Sequence, residues 1–354
     1  MNIFIINPGS TSTKIALYND NKEVWEYNFK HSVEELSVFK TIPSQLSFRK
    51  DIILDYLEQK QVSLQEIEVV MARGGLLKPI ESGVYEINAQ MVYDLETAVL
   101  QHASNLAAMI AFELKKENPS IKTYIADPVV VDELDELARY SGHPLFPRKS
   151  IFHALNHKAV ARNYAEKKGK TYEELNLIIA HLGGGITIGA HKNGRVIDTN
   201  QGLDGEGCFS PERSGTLPVG DVIRAAFSGK YTEKELLKMV VGKGGMTAYT
   251  GTNDALEIEN GALAGKEEFQ KVYKALAWQL GKEIGAYATV LEGKVDVIIL
   301  TGGLAYSKYL IDFLKPKISF IAPIEIYAGE NEMEALAQNA VWLKQGKVEL
   351  KKYV

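Results

Sequence analysis

Cysteine is almost absent from this 354-residue chain: Cys208 is the only one. A single thiol excludes an intrachain disulfide and any zinc site built on several cysteines. Its surroundings, "DGEGCFSPERSG", hold no histidine to activate it, so it reads as a packed residue. Long apolar runs are missing too, since none approaches the roughly 18–20 residues that cross a bilayer. The N-terminus enters a strand pattern without the basic flank and cleavage site of a leader. We therefore expect a cytoplasmic protein with no membrane partner. There is no basic excess either, for the net charge is −5, and generic nucleic-acid binding needs a basic face.

The common nucleotide and metal signatures are also lacking. "GKT" at Gly169 to Thr171 resembles the tail of a P-loop, but Tyr164 stands where the loop needs its first glycine. No G-x-G-x-x-G occurs. "HALNH" sets His153 and His157 one helical turn apart without the glutamate of H-E-x-x-H, which argues against a zinc protease.

What is present is ordinary globular composition, 45% hydrophobic and 24% charged, in a length suited to about two domains. Apolar strand-like runs such as "MNIFIIN", "IKTYIADP", "LNLIIAHLGGG" and "VDVIILTGG" alternate with helical patterns. Among these are the single long "MVYDLETAVLQHASNLAAMIAFELKKE", "IFHALNHKAVARNYAEKKG", "EEFQKVYKALAWQLGKEIGAYATVLEG" and a last helix from about Asn331. That alternation predicts an α/β fold. Laid side by side, "IINPGSTSTKIALYNDNKEV" and "IIAHLGGGITIGAHKNGRVI" share one plan of strand, small-residue turn, strand, polar turn and new strand. Two such hairpins predict two related domains.

The hairpin tips suit phosphate. Ser10, Ser12 and Lys14 offer hydroxyls and a cation. Gly183, Gly184 and Gly185 after His181, with Gly302 and Gly303 after a third strand, permit close approach to the backbone. Arg73, in "VVMARGGLL", ends an apolar strand where its planar fork can clamp a carboxylate or phosphoryl group. Asp127 ends "IKTYIAD", a position from which acidic residues serve magnesium in α/β enzymes.

In this order, "INPGSTSTK", "ARGG", "IFHALNH", "HLGGG", "ERSG" and "NEMEALAQNA" resemble the acetokinase family, within the superfamily of acetate and sugar kinases, heat-shock ATPases and actin. The matches run from Asn7 to Ala340. "NPGSTSTK", "ARGG" and "FSPERSGTLP" are most similar to members acting on four-carbon or branched short-chain fatty acids, with propionate and acetate as the smaller alternatives. The resemblance implies two actin-like (ribonuclease H-like) domains, residues 1–150 with the returning 330–354 and the nucleotide-binding 151–329. It places the active site in the cleft between them, where closure would exclude water.

The resemblance further implies reversible transfer of the ATP γ-phosphoryl group to a short-chain carboxylate, giving ADP and an acyl phosphate, with Mg2+ and a homodimer or higher homo-oligomer. Arg73, Arg213 and His153 would serve the transferred group, with His157 in support, and Phe152 would line the substrate pocket with Gly74 and Gly75. Asn7, Asp127 and Glu332 would serve the metal, although "GENEME" also offers Glu330 and Glu334. Ser10, Ser12, Lys14, His181, the glycines 183–185, Asp254, Gly302 and Gly303 would bind nucleotide. Leu256 stands where the family often has an arginine, which weakens the adenine assignment. Gly74 and Gly75 replace bulky aliphatic residues after Arg73, and lost side-chain volume there is expected to admit a longer acyl chain. Competing readings are a sugar kinase, which would need a carboxylate base at an acceptor hydroxyl, and an actin-like nucleotide-binding scaffold without catalysis.

Overall fold

The computed structural model describes residues 1–99 and 101–354. The chain divides into two compact units, Met1–Val131 with Asn331–Val354, and Asp132–Glu330. The first boundary falls before residue 150 because the segment after Val131 is tied to the second unit. There, Lys158 Nζ donates to Glu133 Oε2, Asp135 N to Ile197 O, and Arg148 to both Asp198 and Glu206.

In the first unit a seven-stranded sheet runs β12-β5-β6-β4-β1-β2-β3. These strands are β1 Asn2–Gly9, β2 Ser12–Asn19, β3 Lys22–Lys30, β4 Val69–Arg73, β5 Val84–Glu86, β6 Lys122–Ala126 and β12 Leu350–Lys352. β1, β2 and β3 form an antiparallel meander, whereas β4 joins β1, and β6 joins β4, in parallel. Ile3, Phe4, Ile5 and Ile6 are all buried, as a strand covered on both faces requires. Phe4 and Ile6 share one core with Ile53, Leu57, Leu106, Ile110 and Leu114. Helix Glu332–Lys344 returns to pack on β1 and β4.

The second unit repeats the plan with five strands in the order β11-β10-β7-β8-β9. Here β7 is Leu177–Leu182, β8 Ile186–Lys192, β9 Arg195–Thr199, β10 Val297–Gly302 and β11 Ile324–Ala328. β7, β8 and β9 are again an antiparallel meander, with β10 parallel to β7 and β11 parallel to β10. Alternate residues serve opposite layers. Ile178, Ala180 and Leu182 join the core of helices Glu267–Val290 and Lys308–Ile318, while Leu177 and Ile179 face Val160, Ala161 and Tyr164 of helix Ala154–Lys167. Cys208 lies in the first of these cores, where burial pushes its thiol well up. The equivalent strand orders of the two units bear out the repeat read from the hairpins.

One expected helix is two: Ala89–Thr97 and Asn105–Glu117. The break has a polar cause. Gln101 Nε2 donates to the carbonyls of Leu95, Glu96 and Ala98, and Asn105 Oδ1 accepts from Leu76 N, so backbone and side chains there are committed to bonds outside the helical ladder. Leu100, inside the predicted run, lies outside the described residues. Among the described residues no helix is long and apolar enough to cross a membrane.

Candidate active site

In the first unit the hydroxyl-rich tip between β1 and β2 is stapled from within by Arg49. This residue is fully buried on helix Leu46–Gln59. Its Nη1 donates to Gly9 O, Ser12 O and Thr13 Oγ1 at 3.0, 2.6 and 3.0 Å, its Nη2 to Ser10 O at 3.3 Å, and Nε and Nη2 to Gln45 Oε1. Burial pulls this guanidinium down to about 10, yet it remains a cation at neutral pH. Thr13 also meets His31 Nε2 at 2.8 Å. Sequence reading missed Arg49, because a charged helix surface offers no local sign that one arginine turns inward. Ser10 is exposed and Ser12 half-buried at the tip, while Lys14 pairs with Glu26 at 3.4 Å.

Arg73, at the end of β4, is engaged by a carboxylate. Its Nη2 lies 3.0 Å from Glu332 Oε1, and its Nη1 donates to Glu332 Oε2 at 3.0 Å and to Asn7 Oδ1 at 3.1 Å. Asn7 Nδ2 closes the triangle on Glu332 Oε2 at 2.8 Å. The three residues come from β4, β1 and the start of the returning helix. Of the three candidate glutamates, Glu332 therefore joins Asn7 and Arg73, whereas Glu334 accepts from Asn331 and Glu330 sits beside His181 in the second unit. Asp127 follows Ala126, the β6 partner of Arg73, in a left-handed conformation (φ 38°). It is buried, and its Oδ1 accepts from Gly83 N.

Gly74 and Gly75 do not free volume, contrary to expectation. A Cβ on Gly74 would lie 2.3 Å from Pro128 Cβ, and one on Gly75 2.6 Å from Asn105 Oδ1 and 2.8 Å from Leu95 Cδ2. The chain needs glycine there because neighbours already occupy the space, so the explanation of acyl length by lost volume fails.

In the second unit His153 caps helix Ala154–Lys167, and its ring stacks on His181 with centroids 3.8 Å apart. His153 Nδ1 lies 2.9 Å from Thr187 Oγ1, which also meets His157 Nε2 at 3.1 Å. His157 continues to His191, and His191 to Tyr172. Phe152 is buried edge-on against His157.

Each glycine of "HLGGG" has its own reason. A Cβ on Gly183 would strike Glu330 Oε1 at 2.3 Å and His181 Nε2 at 2.8 Å, and one on Gly185 would strike Arg213 Nη1 at 2.0 Å. A Cβ on Gly184 would meet no described atom within 4 Å, and neither would one on Gly303. Gly302, at φ 87°, lies against the Leu182 backbone. Arg213 donates from Nη1 to Gly202 O, and Ser210 Oγ donates to Gly184 O, so the "FSPERSG" loop is strapped to the turn. Burial lowers the Arg213 guanidinium from its ordinary value. Its Nε and His181 Nε2 are buried without a hydrogen-bond partner among the described residues, the latter 3.1 Å from Glu330 Oε1 but out of alignment. Asp254 caps helix Ala255–Leu263 by accepting from Leu256 N and Glu257 N, a sufficient structural reason for it.

A bidentate arginine fork, an imidazole cluster and two open glycines at strand ends are parts suited to moving a phosphoryl group. The Acetokinase family model matches residues 140–313. The chain is 54% identical over 352 residues to butyrate kinase 2 and 51% identical to butyrate kinase 1 of Clostridium acetobutylicum, with 99% of each chain covered in both comparisons. In fold it is similar to the Porphyromonas gingivalis acetate kinase crystal structure, with a TM-score of 0.80, 19% identity and 97% and 99% of the two chains covered. A Francisella tularensis propionate kinase gives 0.75, at 19% identity and 96% and 98% coverage. The chain belongs to the acetokinase family, a class of phosphotransferases with a carboxyl acceptor, and its two units are the two actin-like domains of that fold.

Proposed function

We propose that the protein is an ATP-dependent butyrate kinase, interconverting butyrate and ATP with butanoyl phosphate and ADP. The observation that carries this reading is the identity of 51–54% to two butyrate kinases along nearly the whole chain. The arginine geometry supports it, for Arg73 already holds a carboxylate through both nitrogens of its fork, and that carboxylate belongs to Glu332.

An acceptor carboxylate is ionised at neutral pH, so no strong base is needed. One of its oxygens attacks the γ-phosphorus in line as the bond to the ADP oxygen breaks, and positioning with charge neutralisation lowers the barrier. In this reading Arg73 and Arg213 act on the same phosphoryl group and offset its charge, and His153 donates to its equatorial oxygens. Gly184 and Gly303 let nucleotide phosphates approach the backbone of the second unit, and the hydroxyls of Ser10 and Ser12 and the ammonium of Lys14 are the groups for phosphate that the first unit offers. His181 Nε2, buried, 3.1 Å from Glu330 Oε1 and without a hydrogen bond among the described residues, is a further group for that phosphate.

Magnesium fits the donor set. Among the described residues no cluster of three or more His, Cys, Asp or Glu side chains is arranged for a metal. Magnesium commonly needs only one or two carboxylates besides water and substrate phosphate. Asn7 Oδ1 and the Glu332 and Asp127 carboxylates are the oxygens that would hold it, and when bound it offsets phosphate charge. We place the enzyme in the cytoplasm, where ATP is supplied, as a homodimer or higher homo-oligomer. Exposed Val219, Ile223, Phe227 and Trp278 of the second unit support the latter.

Acyl-hydroxamate formation with ATP, magnesium and a panel of two- to five-carbon acids tests the reading. Activity highest with butyrate or isobutyrate is expected. A clear preference for acetate would overturn the acyl assignment, and a folded, ATP-binding protein inactive on every acid would favour the scaffold reading.

A further inference from the structure

We propose that Lys158, Tyr172, His191, His157 and Thr187 form a polarised hydrogen-bond chain that holds His153 in the tautomer with its proton on Nε2. They are positioning residues for phosphoryl transfer, and the inference rests on the reading in which His153 donates to the transferred group.

The chain is continuous. Tyr172 Oη lies 2.6 Å from His191 Nδ1, His191 Nε2 3.2 Å from His157 Nδ1, His157 Nε2 3.1 Å from Thr187 Oγ1, and Thr187 Oγ1 2.9 Å from His153 Nδ1. Both ring nitrogens of His157 and of His191 are used, and both rings are fully buried. Desolvation keeps both neutral, so each carries one proton and each link has one donor and one acceptor. With the Thr187 hydroxyl accepting from one imidazole and donating to the other, protons along the chain order in two ways. Either every donor points from Tyr172 towards His153, which leaves the His153 proton on Nε2, or every donor points back, which leaves Nε2 bare.

Lys158 selects the first order. Its ammonium is wholly buried, held by Glu133 Oε2 at 2.6 Å and Gly194 O at 2.9 Å, and it lies over the Tyr172 ring 5.3 Å from the centroid. A cation at that end favours the negative end of each bond dipole nearer to it, so Tyr172 is the donor and His191 the acceptor. At the other end an anionic phosphoryl group favours the same order, because it calls for a proton on His153 Nε2. The stack on His181 meanwhile fixes the plane of the His153 ring. With the order reversed, His153 would present a lone pair to an anion.

Two-bond proton–nitrogen spectra of the full-length protein with 15N-labelled histidine read the tautomer directly, with His153→Gln identifying the signal. Nε2–H is expected for His153, His157 and His191 in the wild-type protein. Thr187→Val, which keeps shape and cuts the chain, should mix the His153 tautomers and lower kcat about 10- to 100-fold, the scale seen when the partner orienting a functional imidazole is lost. KM for ATP and acid should stay near wild type, and Thr187→Ser should retain both tautomer and rate. Tyr172→Phe should act in the same direction as Thr187→Val. An Nδ1–H signal for wild-type His153, or a Thr187→Val protein with unchanged tautomer and kcat, would overturn the proposal. If neither chain-breaking variant folds, the wild-type spectrum decides alone. Absence of kinase activity in the wild-type protein would instead fail the functional reading, since the spectrum does not depend on turnover.

Discussion

Thr13 and Thr187 hold the same place in the two hairpins, each one position beyond the last strand pair before the turn, opposite Pro8 and His181. Both are fully buried, and both use their hydroxyl on a histidine. The difference lies in what else each touches. Thr13 accepts from a buried guanidinium that also gathers three turn carbonyls, whereas Thr187 belongs to a file of neutral imidazoles leading to His153. One topology thus yields a turn stiffened by a buried charge and a turn tied into a file of imidazoles that ends at His153. The strand plan is the same in both units, and the buried polar partners of the two turns differ.

The largest effect should come from removing the charge that stiffens the first turn. Arg49→Met strips the carbonyls of Gly9, Ser10 and Ser12 and the Gln45 amide of their donor, at a cost of about 3–5 kcal/mol. Arg49→Lys should fall between, because an ammonium cannot reproduce the fork. Urea denaturation followed by probes in each unit measures this, and a Met variant as stable as wild type would remove Arg49 as the staple. Thr187→Val in the second hairpin should cost only about 1–3 kcal/mol.

Acid should separate the two units next. His157 and His191 are held well below their ordinary value of 6.5. The unfolded chain therefore takes up protons below about 6.5 while the folded chain refuses them. Stability is full above that pH and falls as pH drops, by about 1.4 kcal/mol per unit for each group. In the first unit His31 is lowered, by burial and by Arg49. Denaturation between pH 7 and 5 should show the steeper loss in the second unit, and His191→Gln should lessen it.

Strand runs, hairpins and their repetition were legible because the signals are local: four isoleucine or phenylalanine residues in a row, then glycine or serine at a turn. Arg73 was legible at its strand end, and Asn7 and Glu332 through family resemblance as metal residues, but their triangle was not, since its members stand far apart in the chain. Arg49, His191 and Tyr172 were not legible, for Arg49 gathers a turn 36–40 residues away and Tyr172 meets His191 19 residues away. Gly74 and Gly75 misled for a related reason. A glycine signals close approach without saying whether a ligand or the protein itself comes near, and here it is Pro128 and Asn105.

The metal assignment can be sharpened with smaller effects. Glu332→Gln removes the carboxylate that Arg73 and Asn7 share, and should raise the magnesium requirement and lower kcat about tenfold. Glu334→Gln, whose partner is Asn331 of its own helix turn, should alter neither. Magnesium titrations of the two variants compare them directly. Equal behaviour would remove Glu332 from the metal site.

The smallest effect is expected at Gly184, and it bears most directly on what the second turn is for. Its neighbours are glycine because Glu330, His181 and Arg213 leave no room for a Cβ, whereas nothing within 4 Å and no positive φ demands glycine at 184. A residue that loses more backbone entropy on folding than any other, kept where the fold does not require it, points to something from outside the fold that comes near. Gly184→Ala should therefore leave the melting temperature of the free protein unchanged or slightly higher, and raise KM for ATP several-fold with little change in KM for the acid. Gly185→Ala should differ in kind, because its Cβ displaces the Arg213 guanidinium, so kcat should fall as well. Were Gly184→Ala to destabilise the free protein and spare ATP binding, the open space at this turn would belong to folding and not to the nucleotide.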